Sequence, residues 1–96
     1  MDERANDDEI ERQKRLLTQA VKHPVRKDIL RRLMPSGTTV TADELESDKL
    51  SRTYANYHLT QLEELGAIEV AETMHEGSKV IRVFRSTAAG RRFAAD

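Results

Sequence analysis

A chain of 96 residues with no cysteine, 34% charged residues and a net charge of −1 has room for one small domain, which buries only about 60–65% of the surface its unfolded form exposes. The lack of cysteine excludes disulfide staples and thiolate metal sites together, so a second subunit is the expected source of additional burial. No apolar run approaches the length of a membrane span and none follows the acidic start, which excludes a spanning helix and a secretory signal and leaves a cytoplasmic protein as the expectation.

Residues 1–8 form an acidic stretch expected to be flexible. The run DDEIERQKRLLTQAVK at 7–22 then sets Ile10, Leu17, Ala20 and Val21 at helical spacing, with acids in the first turn where the helix dipole favours them. His23–Pro24 both stops this helix near Lys22 and starts a second, because the residue before proline avoids helical angles while proline suits the first helical position. Val25, Ile29, Leu30, Leu33 and Met34 make the apolar stripe of that second helix, and Pro35, Ser36 and Gly37 end it. Residues 1–11 hold six acids and one base, whereas 12–33 hold eight bases and one acid. The small net charge therefore conceals a basic segment suited to a polyanion, although on charge alone a solvated helix face is the commoner account of such a run.

A short extended piece, Thr38–Val40, leads into TADE at Thr41–Glu44. This has the form of a capping box, with a threonine hydroxyl for the amide three residues on and a glutamate able to reach back. A third helix of about two turns follows, anchored by Leu45. After the turn SDK, Ser51 is the N-cap of a fourth helix that Gly66 closes. Two helices joined by a tight turn give a helix-turn-helix outline. AIEVAETM and KVIRVFR are strand-forming runs on either side of HEGS, whose Gly77 can supply the positive φ of a hairpin turn. The last segment, 88–96, is read as a tail or short helix in which Phe93, lacking an evident partner inside one chain, joins the first helix in a dimer interface.

At 100° per residue along 52–65, Tyr54, Ala55, His58, Leu59, Leu62 and Leu65 fall in one arc, the expected core face. Thr53, Asn56, Tyr57, Thr60 and Glu64 fall in the opposite arc, with Arg52 beside them. Amide, guanidinium and hydroxyl groups are the ones that read base edges in a major groove, so Arg52, Thr53, Asn56, Tyr57 and Thr60 are the candidate groove contacts. Glu63 and Glu64 lie at the end that would have left the DNA.

HPVRKDILRRL, TADELE and LSRTYANYHLTQLEELGAIEV, followed by a hairpin and VFRST, resemble the ArsR-type winged helix-turn-helix regulators over residues 20–87. The resemblance makes 51–65 a recognition helix and 68–85 a wing. It implies backbone contacts from Ser51 at the helix start and from Ser78, Lys79 and Arg82 on the wing. The sequence departs from the family pattern in a shorter turn before Ser51, in Glu46 where a small residue is common, and in lacking a metal-binding motif, which argues against metal sensing.

The isolated residues carry little other chemistry. His58 lies on the core side of its helix and is read as a packing residue, His23 as a helix junction, and His75 as a hairpin-tip residue that is either solvated or near phosphate. No histidine pair has metal-ligand spacing, and neither a cysteine nucleophile nor a glycine-rich phosphate loop is present. The expectation is an α+β winged helix-turn-helix over 9–87, with four or five helices and a two-stranded hairpin wing. It is expected to act as a homodimeric regulator on double-stranded DNA, with no enzyme activity, cofactor, metal or evident small-molecule site. The competing reading, favoured by the acidic stretches 1–11 and 41–48, is a winged-helix module that binds another protein and not DNA.

Overall fold

The structure, a computed structural model, describes the backbone of residues 3–95 and the side chains of residues 8–93. It is an α+β domain with five helices and one three-stranded antiparallel sheet, in the order α1 (Glu3–Ala20), α2 (Pro24–Arg32), β1 (Thr39–Val40), α3 (Ala42–Leu45), α4 (Arg52–Glu64), β2 (Ile68–Glu76), β3 (Lys79–Ser86) and α5 (Ala88–Ala95). Among the described residues no helix is long and apolar enough to cross a membrane.

α1 begins at Glu3, inside the stretch expected to precede it, and ends at Ala20, short of Lys22. Its buried face is narrow. Leu17 and Ala20 pack into the core, Val21 lies against it, and Gln13, one turn before Leu17, donates from Nε2 to the Leu65 carbonyl at 2.9 Å. That bond satisfies a carbonyl at the C-terminal end of α4 and ties the two helices together. The core itself joins Leu17, Ile29, Leu30, Leu33, Val40, Leu59, Leu62, Ala67, Ile68 and Phe84. Large aliphatic and aromatic side chains contribute about 1.5–3 kcal/mol each when buried.

The expected capping box is present with a changed second half. Thr41 Oγ1 accepts from the Glu44 amide at 3.2 Å, while the Glu44 carboxylate accepts from the Thr41 hydroxyl at 3.3 Å. α3 is one turn rather than two, because Glu46 turns to extended angles (φ −62°, ψ 135°) and Ser47 and Leu50 bridge to close the loop into α4. Ser51 caps α4 through Oγ and the Tyr54 amide at 3.2 Å. Gly66, at φ +77°, takes the left-handed position that terminates it.

The expected two-stranded wing is instead part of a three-stranded sheet ordered β1-β3-β2. β1 is only two residues, with Val40 paired to Phe84 and both fully buried, and a strand this short shows no alternation in sequence. β2 and β3 pair from Ile68↔Ser86 to Glu76↔Lys79, with an irregularity between Val70 and Glu72. The link Gly77–Ser78 has Gly77 at φ +62°, the first-position glycine of a type II′ hairpin turn.

Residues 88–95 form a helix, and Phe93 is not without a partner: it is half-buried against the core. Thr87 caps α5, accepting from the Gly90 amide at 3.0 Å while its hydroxyl reaches the Gly66 and Ala67 carbonyls at 2.6 and 3.1 Å. Ser86 Oγ donates to the Leu33 carbonyl at 2.7 Å and so satisfies a buried acceptor at the end of α2.

Candidate functional site

α4 is held with one face buried and the other open. Ala55, His58, Leu59 and Leu62 are inside, and Thr53, Asn56, Tyr57 and Glu64 are outside. Tyr54, expected on the core face, is 62% exposed. It sat at the margin of the predicted core arc, and its aromatic neighbours are Tyr57 and His58 of the same helix. The open face divides into two flanks.

Toward the hairpin, α4, the start of α3 and β3 enclose a groove of about 410 Å³ lined by Asp43, Arg52, Thr53, Asn56, Val80 and Arg82, among others. Asp43, in the first turn of α3, accepts from two cations. Arg52 Nε lies 2.7 Å from Oδ1 and Lys79 Nζ lies 3.2 Å from Oδ2, so a single carboxylate joins α3, α4 and β3. Arg82 reaches across from β3, its guanidinium carbon 5.0 Å from the centre of the Phe84 ring. Its Nη2 donates to Asn56 Oδ1 and Thr60 Oγ1, both at 3.3 Å, and its Nη1 to Glu63 Oε1, also at 3.3 Å.

The structure therefore brings Arg52, Thr53, Asn56, Thr60, Lys79 and Arg82 together around one groove. Ser51 does not line the groove; it is the exposed N-cap of α4, accepting from the Tyr54 amide, and Ser78 is exposed at the hairpin turn. Tyr57 points away to the other flank. Glu63, placed by the sequence among residues beyond the site, is in it as the partner of Arg82. Asp43 also escaped the sequence reading, since its two partners come from elements nine and 36 residues away. These pairs are roughly half exposed, and ion pairs in such settings contribute only about 0–1 kcal/mol. Phosphate oxygens accept charge-assisted bonds from the same cations as carboxylates do.

On the flank toward α2, Tyr54 and the half-exposed Tyr57 meet edge to face with ring centres 6.4 Å apart. Beneath them His58 is 2% exposed, and its ring centre lies 4.3 Å from that of His23. Arg26 Nε donates to His58 Nδ1 at 3.0 Å, and the guanidinium lies 5.8 Å from the Tyr57 ring centre. That bond makes Nδ1 an acceptor and places the imidazole proton on Nε2. Burial, then the neighbouring His23 and Arg26, lower the His58 pKa below its ordinary value of 6.5. His23 itself caps α2, its Nδ1 accepting from the Val25 amide at 3.3 Å.

Among the described residues no three acidic or histidine side chains are grouped so as to hold a metal ion. Compared with protein-family models, with curated proteins and with solved structures, the chain matches none of them.

Proposed function

We propose that the protein is a winged helix-turn-helix regulator of the ArsR type that binds double-stranded DNA, with α3 and α4 as the helix-turn-helix, α4 in the major groove and the β2–β3 hairpin as the wing. One observation carries the reading. The exposed face of α4 presents Thr53, Asn56 and Thr60 beside three cations, Arg52, Lys79 and Arg82, that converge from a helix and a hairpin. Base-edge donors and acceptors flanked by phosphate-seeking groups are the two kinds of contact that duplex recognition requires. The pairing of Arg82 with Asn56 and Thr60 supports it further, because it holds the amide and hydroxyl in place before a base arrives and so lowers the ordering cost of binding.

The dimer belongs to the same reading. Ile10 and Leu16 of α1 are 52% and 44% exposed, and Ile10 adjoins Phe93 of α5 in a shallow apolar depression. Two copies joined there would present two α4 helices to one duplex.

Selection of bound fragments from random duplex, followed by sequencing, tests the proposal. A preferred sequence in two half-sites about one helical turn apart is the expected result. Absence of any duplex binding at low salt, together with binding to another protein through the same groove, would replace it with the protein-interaction module.

A further inference from the structure

We infer that Arg26, Tyr54 and Tyr57 form a second phosphate-binding ridge, on the side of α4 opposite the hairpin, that engages the other strand of the duplex; the inference rests on the DNA-binding reading above. A helix lying in a major groove about 12 Å wide has a sugar–phosphate strand on each side of it. The hairpin serves one side. On the other side, Tyr54 is turned roughly 160° around the helix axis from Asn56 and Tyr57 roughly 100°, at 100° per residue. These two tyrosines and the first turn of α2 are what that second strand would meet.

The chemistry on this flank suits a phosphodiester better than that of the groove does. Arg52, Lys79 and Arg82 each have a carboxylate within 3.3 Å, whereas Arg26, among the described residues, pairs with none. Its Nε is held by a neutral imidazole, so its positive charge is not cancelled and its two terminal nitrogens remain to donate. The ring of Tyr57 supports the guanidinium from below. Tyr54 and Tyr57 add phenol hydroxyls at the surface. An exposed tyrosine pair costs apolar exposure and has no core role here, and a hydrogen-bond donor on a rigid two-torsion side chain is well suited to an ordered phosphate. The fixed position of Arg26 matters as much as its charge: burial of His58 beneath it makes a rigid support, so little side-chain entropy is lost on contact.

The test measures binding of the full chain to its selected duplex and to an unrelated duplex over a range of salt, for the parent and for Arg26→Gln, Arg26→Lys and Tyr54→Ala, with Asn56→Ala as the groove control. Arg26→Gln should weaken both duplexes alike, about threefold to tenfold, and lower the salt slope by about 0.9 per subunit. Arg26→Lys should restore the slope. Tyr54→Ala should weaken both duplexes about twofold to fivefold with the slope and the melting temperature unchanged, and because that side chain is exposed, the variant decides the question even if Arg26→Gln perturbs the fold. Ethylation of backbone phosphates in the selected duplex should show interference on both strands of each half-site for the parent, lost on one strand of each half-site in Tyr54→Ala. If both Arg26→Gln and Tyr54→Ala bind as the parent does while Asn56→Ala loses the selected site, the ridge is refuted and the DNA-binding reading stands. If the parent binds no duplex in a salt-dependent way, both fall together.

Discussion

Arg82 of β3 donates to the side-chain oxygen of Asn56 on α4 at 3.3 Å, so the residue best suited to read a base is already oriented by the hairpin. The amide oxygen has a second lone pair, so Asn56 can pair bidentately with adenine while Arg82 still holds it. Arg82 is itself held by Thr60 and Glu63.

Asn56→Ala is therefore expected to weaken the selected duplex by about 1–3 kcal/mol and an unrelated duplex hardly at all, since it removes a base-edge pair without altering charge. Arg82→Ala should act more broadly, lowering affinity for both duplexes and also reducing discrimination between them, because it removes a cation and the support of Asn56 at once. Fluorescence anisotropy on the two duplexes measures both. Equal loss on both duplexes from Asn56→Ala would show that α4 does not read sequence.

Asp43 sets how readily the groove meets phosphate. Its carboxylate lies 2.7 Å from Arg52 and 3.2 Å from Lys79, and any phosphate approaching those cations meets a like charge as well. Asp43→Asn removes that repulsion and frees both cations at a stability cost below about 1 kcal/mol for such exposed pairs. Affinity for every duplex should rise about twofold to fivefold, with the ratio between selected and unrelated duplex falling. An unchanged affinity in anisotropy titrations would mean that Arg52 and Lys79 make no phosphate contact.

The order of the helices, the two caps at Thr41 and Ser51, the glycine stops and the hairpin were all legible in the sequence, because each rests on local chemistry or a strong apolar period. What was not legible depends on distant elements. Tyr54 looked internal because a helical wheel shows angle and not what covers it. β1 was hidden in two residues whose pairing with Phe84 only the fold reveals. Phe93 looked unpartnered because its neighbours, Leu17 and Ala89 among them, converge from both ends of the chain. In the candidate site, the side chains facing out from α4 could be listed from periodicity, but the carboxylates that hold its cations could not. Asp43 and Glu63 read as ordinary solvated acids until β3 was placed across from them. The Arg26–His58 bond spans 32 residues and two helices, with only the adjacent HP junction as a sequence sign of where α2 begins.

His58 makes stability depend on acid. Its folded-state pKa lies below 6.5, first because it is buried and then because His23 and Arg26 stand beside it. In the interval between the two pKa values the unfolded chain binds more protons, so stability rises with pH. The contribution is fully present above about pH 6.5 and is lost as pH falls through the folded-state value, when protonation at Nδ1 would also oppose the Arg26 donor. Melting temperature should decline as pH falls below about 6.5. His58→Asn, which can keep an acceptor for Arg26 but does not titrate, should flatten that decline; a profile as steep as the parent's would assign it to another group.

Leu16 tests the subunit contact. It is 44% exposed on α1, where it borders Glu64 and Leu65 at the C-terminal end of α4 and none of the proposed DNA contacts, so a charge there leaves those contacts untouched. Light scattering at tens of micromolar should give twice the mass of one chain for the parent and a single-chain mass for Leu16→Glu. A single-chain mass for the parent would rule out the dimer.

The sharpest test of α5 lies at Gly90, which packs against the Ala67 backbone. At Gly90 a side chain would begin only 2.0 Å from the Ala67 carbonyl oxygen, which is backbone and itself fixed by the Thr87 amide and hydroxyl at 3.0 and 3.1 Å. Nothing there is a flexible side-chain end that could swing aside. Gly90→Ala must push α5 away from the Gly66–Ala67 turn, and the half-buried Phe93 moves with it. The gain in helix propensity, about 1 kcal/mol for alanine over glycine, opposes a steric penalty of about 1–3 kcal/mol or more for forcing a methyl into filled space. The clash wins because it is with backbone on both sides. Urea unfolding should show a lower midpoint for Gly90→Ala, whereas Ala89→Gly, one residue earlier on the same helix, should lose only about the propensity difference. A variant Gly90→Ala as stable as the parent would mean that α5 does not pack on Ala67, and the support assigned to Phe93 would fail with it.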